Sequence, residues 1–204
     1  MPEDQQHPML KSEKQKMLAG EPYRSRDPEL LAMYRRARAL LTEFTATASV
    51  EAARKEEILR SLFGSLGSGV WIEAPFFCDY GENIHVGSDC FINYNCVFID
   101  NNRITIGDAV LIGPAVQLYT ATHPLAPEKR IIYDDPENPA RARYLTQALP
   151  ITIGDRAWIG GGALIMPGIT IGADSTIGAG SVVTRNIPDR CFAAGNPCRV
   201  IRSL

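Results

Sequence analysis

The chain has 204 residues, of which 45% are hydrophobic and 22% charged, as expected of a globular protein. Its formal net charge of −2 gives no broad attraction to nucleic acid or to an anionic membrane, so neither is an expected partner. No stretch approaches the ~20 apolar residues of a membrane span, and the polar first residues lack the apolar segment of a secretory signal. Five cysteines without a CxxC pair predict reduced, buried thiols in a cytoplasmic protein.

The first third of the chain predicts three helices. Residues 11–19 end at Gly20, a residue that commonly stops a helix. Asp27-Pro28 then offers a cap residue and a proline near a helix start. Apolar residues follow at three- and four-residue spacing, at Leu30, Leu31, Met33, Tyr34, Ala37, Leu40, Leu41 and Phe44. A third helix is predicted over 50–63, so residues 1–69 are interpreted as an N-terminal helical segment.

After this segment the apolar residues adopt a six-residue period. They occur without a gap at Ile153, Ile159, Ile165, Ile171, Ile177 and Val183. The same spacing is found earlier at Val86, Ile92 and Phe98, and it returns two residues out of phase at Ile106, Ile112 and Leu118. An antiparallel β-domain with glycine turns does not explain six successive repeats. A solenoid does, because each repeat supplies one short strand and one turn.

Residues 70–204 are therefore interpreted as a β-helix with a C-terminal tail and a protruding loop over 124–150. The phase change at Asn101-Asn102 predicts a bulge at one corner of the helix. The loop carries five prolines and no repeats. Long loops in compact domains are usually functional, so we expect this one to form an active-site wall, with a tolerated surface insertion as the alternative.

His123 is the candidate catalytic base among three histidines. His7 lies in a polar tail, and His85 lies on a predicted strand surface. His123, in the sequence TATHP, lies where a coil meets the long loop, and an ordinary imidazole accepts protons near physiological pH. A zinc site is the alternative. The chain cannot gather three histidines near the β-helix and has no HxH or CxxC spacing, so no metal is expected.

Two further groups of polar residues suit acyl-transfer chemistry. Asn93 and Asn95 interrupt an apolar segment, and an asparagine amide can donate to a developing oxyanion, although asparagines also stabilise β-helix turns. The end of the chain is basic, which suits the phosphates of a nucleotide-like ligand, although solvated surface charge explains it equally well. The basic residues there are Arg185, Arg190, Arg199 and Arg202.

Eight segments give the chain a resemblance to a known family. They are EKQKMLAGEPYRS (13–25), CDYGENIHVG (78–87), FINYNCVFID (91–100), YTATHP (119–124), ITIGDRAWIGGGA (151–163), IMPGITIG (165–172), IGAGSVVT (177–184) and AAGNPCRVI (193–201). With them the chain resembles the maltose and galactoside O-acetyltransferases, including nodulation-type relatives. The repeats alone identify a superfamily, whereas the N-terminal segment, YTATHP and GNPCRVI are more specific.

The resemblance implies a left-handed parallel β-helix, although the usual crossover rule favours right-handed connections. It implies acetyl transfer from acetyl-CoA to a sugar hydroxyl, without a covalent intermediate, in a homotrimer with sites between neighbouring β-helices. His123 matches the catalytic base, and Asn93 matches a residue that steadies the transition state. Further acceptor positions are Ser25, Asp79, Asp100 and Asn101. Contacts to acetyl-CoA are implied for Trp158, Gly161, Ala179, Thr184, Arg185, Arg199 and Arg202.

The acceptor is the part of this prediction that stays open. Ser25 and Tyr34 stand where galactoside-type members carry an acid and an arginine for the sugar; Ser25 agrees with the maltose branch, and Tyr34 agrees with neither. Gly161 replaces a serine of the galactoside branch, and the 124–150 loop is longer than in either branch. A non-sugar alcohol or a xenobiotic remains an alternative acceptor, and a non-catalytic scaffold remains an alternative function.

Overall fold

The computed structural model describes residues 10–133, 138 and 140–204, which excludes His7. Three helices lie close to their predicted positions: α1 (Glu13–Leu18), α2 (Pro28–Ala46) and α3 (Ala52–Leu62). Ser12 begins α1 with a capping box that includes Gln15, and the Asp27 side chain caps α2. The helices therefore begin where their sequences provide acceptors for the first free amides.

The buried faces of α2 and α3 pack on the first coil of the β-helix. Leu30, Met33, Ala37, Leu41 and Phe44 are buried on α2, and Ile58, Leu59 and Leu62 are buried on α3. Three residues of the predicted stripe on α2 are not fully buried: Tyr34 is exposed, Leu31 is partly buried, and Leu40 is partly buried against the core. The apolar periodicity therefore predicted this helix correctly but made its buried face too wide.

The rest of the chain winds through three sheets that have one short strand from each coil. Sheet 1 contains β1 (Ser65–Leu66), β4 (Ile84–Val86), β7 (Ile104–Ile106), β14 (Ile151–Ile153) and β17 (Thr170–Ile171). Sheet 2 contains β2 (Trp71–Ile72), β5 (Phe91–Ile92), β8 (Leu111–Ile112), β15 (Trp158–Ile159), β18 (Thr176–Ile177), β20 (Cys191–Ala194) and β21 (Arg199–Ser203). Sheet 3 contains β3 (Phe76–Cys78), β6 (Cys96–Ile99), β9 (Gln117–Tyr119), β16 (Leu164–Ile165) and β19 (Val182–Val183).

Within these three sheets, as far as the chain is described, the pairs between coils are parallel, and β21 alone folds back antiparallel on β20. The residues of the six-residue period point to the axis and are buried, as predicted. For example, Ile106 pairs with Ile153, and Ile112 pairs with Ile159. The fold is therefore a parallel β-helix, and β1, which precedes residue 70, pairs with β4 and forms part of it.

The chain turns at three corners, which we name the 1–2, 2–3 and 3–1 corners after the sheets that they join. A coil here has twenty residues, since Ile84 pairs with Ile104, and the 3–1 corner is its longest, since the buried residues Phe98 and Ile106 on either side of it are eight apart instead of six. In a later coil Thr152 pairs with Thr170, only eighteen residues later. The two extra residues at Asn101-Asn102 therefore widen one corner, as predicted.

The long loop leaves the β-helix at this same 3–1 corner and has secondary structure of its own. Strand β10 (Ala121–Thr122) pairs antiparallel with β13 (Gln147–Ala148) at its base. Further out, a short helix α4 (Pro127–Arg130) precedes β11 (Ile131–Ile132), which pairs antiparallel with β12 (Arg143–Tyr144). The described part of the loop is therefore a structured arm anchored on the corner.

Asn102 connects this corner to the N-terminal helices and to the loop. Its buried Nδ2 atom lies 2.8 Å from the carbonyl oxygen of Ala148, 3.2 Å from that of Met17 and 3.3 Å from that of Leu18. Its Oδ1 atom accepts a hydrogen bond from the amide of Arg103 at 2.7 Å. One side chain therefore holds together three segments that are distant in sequence.

The five cysteines are buried and form no disulfide. Within the described part of the chain, no helix combines the length and apolar character that crossing a membrane requires.

Candidate active site

The imidazole of His123 is exposed and held in one orientation by the loop. Its Nδ1 atom lies 2.7 Å from the carbonyl oxygen of Leu145. A carbonyl oxygen only accepts hydrogen bonds, so Nδ1 carries the hydrogen of the neutral ring. The lone pair is therefore on Nε2, which is the atom that a general base requires.

A cavity of about 490 Å³ lies beside His123, and Ser25 also lines it. The N-terminal segment reaches this place because the Tyr23 amide donates to the carbonyl of Thr146 at 3.2 Å, which sets it against the returning loop. The structure therefore brings together two predicted site residues, His123 and Ser25, that are far apart in sequence. The volume is within the range of sites for small molecules.

Three other predicted acceptor residues lie together at the 3–1 corner but do not line this cavity. Asp100 and Asn101 are buried, and Asp79 is partly buried. The Oδ1 atom of Asp100 accepts hydrogen bonds from the amides of Asp79 at 2.9 Å and Tyr80 at 2.8 Å. In the described structure, Asp100 therefore fixes the backbone that carries Asp79.

Among the carboxyls of this corner, Asp100 has the most strongly shifted pKa. It is fully buried, and its Oδ2 atom has no hydrogen-bond partner. Burial, followed by the nearby Asp79 carboxylate, raises the pKa of Asp100 from 3.8 to about 7, although the two amides oppose the shift. The same burial raises the pKa of Asp79, although Arg38 opposes it, and that of the adjacent Cys78 thiol.

Stability should therefore fall as pH rises from about 4 to about 7. The folded carboxyl keeps its proton to higher pH than the unfolded one, so the contribution of Asp100 is present at low pH and lost through its folded pKa. We expect the free energy of unfolding to fall by up to about 4 kcal/mol across this pH range. In Asp100→Asn, which retains the acceptor oxygen, urea unfolding at fixed protein concentration should lose this dependence. Asp174→Asn, a control at the 1–2 corner whose partly exposed carboxylate pairs with Arg156, should keep it. A flat wild-type profile would contradict the prediction.

Asn93 lies at a different place, the 2–3 corner. Its Oδ1 atom accepts a hydrogen bond from the amide of Tyr94 at 2.8 Å, which orients the side chain. This leaves its NH2 group free to act as a donor. Asn95 follows in the same turn with a φ of 60°, so its role there is to form the turn.

Gly161 and Ala179 lie at this corner in the second and third coils after that of Asn93, with Gly113-Pro114 in the coil between. Within the described part of the chain, neither backbone N–H donates a hydrogen bond, whereas the neighbouring amides of Gly160 and Gly180 do. The coils are close here, since a Cβ on Gly160 would lie 2.5 Å from the nitrogen of Ala179. The 2–3 corner therefore presents a column of donors, comprising the Asn93 amide and two backbone N–H groups.

The remaining residues predicted to contact acetyl-CoA lie on sheet 2 and in the last coils. Trp158 is half exposed on the outer face of sheet 2 and pairs with Thr176 one coil later. Arg199 and Arg202 lie on the exposed strand β21. Thr184 and Arg185 follow β19 at the last 3–1 corner. These residues therefore extend from the coil of Gly161 to the C-terminal end of the β-helix.

His85 has a structural contact, with its Nδ1 atom 3.0 Å from the hydroxyl of Ser65 in the adjacent strand of sheet 1. Among the described residues, no cluster of three or more His, Cys, Asp or Glu side chains has the arrangement of a metal site. The polar groups of the site therefore form two sets in one chain, one around His123 at the 3–1 corner and one around Asn93 at the 2–3 corner.

Comparison with known proteins assigns the chain to a family. The "Maltose acetyltransferase hexapeptide capping motif" matches residues 16–67, and the "Bacterial transferase hexapeptide (six repeats)" matches residues 150–185. Nodulation protein L of Rhizobium meliloti is 45% identical over 94% of this chain and 99% of its own. The chain belongs to the maltose and galactoside O-acetyltransferase family.

Solved structures from this family agree with the fold. A maltose O-acetyltransferase from Clostridium difficile superposes with a TM-score of 0.87 at 44% identity, covering 95% of this chain and 98% of the other. A galactoside acetyltransferase in complex with coenzyme A superposes with a TM-score of 0.85 at 36% identity, covering 95% and 92%. The predicted family and the predicted mainly β, parallel solenoid are thus confirmed.

Tyr34 lies on α2 beside Arg38. Its ring is partly exposed, and the guanidinium of Arg38 lies 4.5 Å from the ring centre. Arg38 also lies 3.4 Å from the Oδ1 atom of Asp79. Sequence reasoning named Tyr34 and Asp79 but not Arg38, which connects them.

Proposed function

We propose that the chain transfers the acetyl group of acetyl-CoA to a hydroxyl group of a sugar, with His123 as the general base. The observation that carries this proposal is the hydrogen bond from His123 Nδ1 to the carbonyl of Leu145. It leaves Nε2 as a proton acceptor beside a cavity that also contains Ser25. Membership of an acetyltransferase family supports the same reaction.

The proposed reaction is a direct transfer. The acceptor hydroxyl donates a hydrogen bond to His123 Nε2, and its oxygen attacks the thioester carbonyl while the proton passes to the imidazole. The carbonyl oxygen becomes negative and accepts hydrogen bonds from the side-chain amide of Asn93 and the backbone N–H of Gly161. When the C–S bond breaks, the imidazolium returns the proton to the sulfur of CoA. No covalent enzyme intermediate and no metal takes part.

The column of donors at the 2–3 corner supports the position of acetyl-CoA in this proposal. The unpartnered amides of Gly161 and Ala179 would bind the thioester and the pantetheine arm, with Trp158 beside them. Towards the C-terminal end of the β-helix, arginine guanidinium groups suit the phosphates of the nucleotide. The proposed contacts at that end are Thr184, Arg185, Arg199 and Arg202.

We infer that the site forms between subunits, because its two sets of residues lie on different corners of one chain. The outer faces of sheets 2 and 3 support a closed assembly. On sheet 2, Trp71, Phe91, Leu111, Trp158 and Thr176 lie side by side, and on sheet 3 the row is Phe77, Val97, Gln117, Leu164 and Val182. By contrast, sheet 1 presents Ser65, His85 and threonines.

Two mainly apolar faces that flank the 2–3 corner suit a homotrimer in which sheets 2 and 3 of neighbouring copies meet. The 3–1 corner of one copy, with His123 and the acceptor positions Ser25, Asp79, Asp100 and Asn101, would then face Asn93 of the next. The buried, unbonded cysteines also support a reducing compartment such as the cytoplasm.

Subunit mixing tests this arrangement. Separately, His123→Ala and Asn93→Ala chains should each be nearly inactive. After they are unfolded and refolded together in equal amounts, activity should recover to about a quarter of wild type, since a quarter of the sites in random closed trimers receive both intact residues.

Two controls make the result decisive. Each variant refolded alone should show no recovery, and native mass spectrometry should show mixed trimers. Absence of recovery in proven mixed trimers, or an active monomer in sedimentation, would refute a site shared between subunits.

A further inference from the structure

The cavity beside His123 is rich in arginine. Among the described residues that line it, four are arginines, namely Arg24, Arg26, Arg141 and Arg143. Among the described lining residues the only acidic one is Asp27, whose side chain caps α2 by accepting a hydrogen bond from the amide of Glu29 at 3.0 Å. The whole chain has a formal net charge of −2, so this concentration of arginines is local.

Two distant segments converge to form this arrangement. Arg24 and Arg26 flank Ser25 just before α2. On the returning side of the loop, Arg141 lies two residues before β12 and Arg143 is its first residue. The backbone contact between Tyr23 and Thr146 sets the two segments side by side. Each segment thus places two arginines on the wall of the cavity that contains the proposed base.

The guanidinium of each of these arginines can contact more than one partner. Arg24, Arg141 and Arg143 each have further interactions within the protein. A guanidinium has five N–H donors in a planar fork, so one contact does not exhaust it. The N-terminus of α2, a helix of 19 residues, lines the same wall and adds partial positive charge.

We propose that the acceptor is an anionic sugar, one whose hydroxyl reaches His123 while its phosphate or carboxylate binds these arginines. This inference rests on the proposed function and specifies its substrate class. Arginine pairs with planar and tetrahedral oxyanions through two parallel hydrogen bonds, which gives geometry as well as charge. The ring of Tyr144, which also lines the cavity, offers a face for the sugar ring.

The acetyl-CoA phosphates have other proposed partners. Arg199 and Arg202 lie on β21, the last strand of sheet 2, whereas the arginine cavity lies on the loop that leaves the 3–1 corner. Changes in the cavity should therefore alter the KM for the acceptor and leave the KM for acetyl-CoA near its wild-type value.

The first test compares matched acceptors by CoA release, using glucose, glucose 1-phosphate, glucose 6-phosphate and glucuronic acid. At least one charged acceptor should exceed glucose in kcat/KM by about 10-fold or more, as expected for a charge-assisted contact. This advantage should shrink as salt is added. Whether a sugar phosphate or the uronic acid is the better acceptor shows whether the arginines bind a phosphate or a carboxylate.

The second test changes the arginines. Arg26→Gln, Arg143→Gln and the double variant should lower the preference for the charged acceptor over glucose, by about 10-fold in the double variant. Arg35→Gln, an exposed residue of α2 outside the cavity, should keep the wild-type preference. Circular dichroism and the thermal midpoint check folding, and Arg26→Gln alone carries the test if Arg143 is needed for folding.

The outcomes separate this inference from the proposed function. If glucose is acetylated as well as every charged acceptor, or if the double variant keeps its preference while folded, the anionic acceptor is wrong and sugar acetylation stands. If neither this panel nor maltose and a galactoside releases CoA from a folded, acetyl-CoA-binding protein, both are wrong.

Discussion

Replacing His123 with alanine should lower kcat by roughly 10²–10⁴, the range for a positioned acid–base group. The side chain is exposed and its one described contact is to the Leu145 carbonyl, so its loss should disturb the fold little. Acetyl-CoA affinity, measured by calorimetry, should stay near wild type because the proposed donor contacts lie at the 2–3 corner. Steady-state CoA release with a saturating acceptor is the measurement.

His85→Ala is the matched control for this prediction. His85 is a histidine of the same β-helix but lies on sheet 1, bonded to Ser65, so its replacement should leave kcat within about 2-fold, as expected for a residue outside the site. A folded His123→Ala variant that retains more than half of the wild-type kcat would remove His123 from the mechanism.

Replacing Asn102 should cause the largest loss of stability among single changes in the site region. Asn102→Ala removes the donor shared by the carbonyls of Met17, Leu18 and Ala148, at a cost of about 2–4 kcal/mol. Asn102→Asp should cost more, since a carboxylate cannot donate and would face three carbonyl oxygens. Urea unfolding at fixed protein concentration measures both changes.

Asn186→Ala provides the control, because the Oδ1 atom of Asn186 accepts one exposed hydrogen bond, from the amide of Thr170. Its loss should cost at most about 1 kcal/mol. If Asn102→Ala costs no more stability than this control, Asn102 does not hold α1, the loop and the 3–1 corner together.

The repeats predicted the β-helix because a solenoid makes the same contact in every coil. Six apolar residues in succession at six-residue spacing therefore predict several strands together. The repeats also revealed the long corner at Asn101-Asn102, since a change of phase is visible in sequence. The same lengthening one coil earlier, around Tyr80-Gly81, was missed because the recognised repeats began only at Val86.

The arginine cavity could not be predicted from the sequence, because no local pattern shows that its two segments come together. A signal did exist in the paired motifs Arg24-Ser25-Arg26 and Arg141-Ala142-Arg143. Asn102 was likewise predicted only as part of a bulge, since hydrogen bonds to distant carbonyls leave no periodicity. Tertiary contacts of this kind appear only once the chain is folded.

The position of the inserted loop has a consequence for how such a protein can change its substrate. The loop leaves from the 3–1 corner. Strand β9, in the coil before the loop, and strand β16, in the coil after it, nevertheless pair in regular register, with Gln117 beside Leu164. Chain length at this corner is thus decoupled from the winding of the coils, and the donor column lies on another corner. Under the proposed function, exchanging the segment 124–150 for one of different length and charge would change the acceptor cavity and leave the proposed thioester contacts at the 2–3 corner in place.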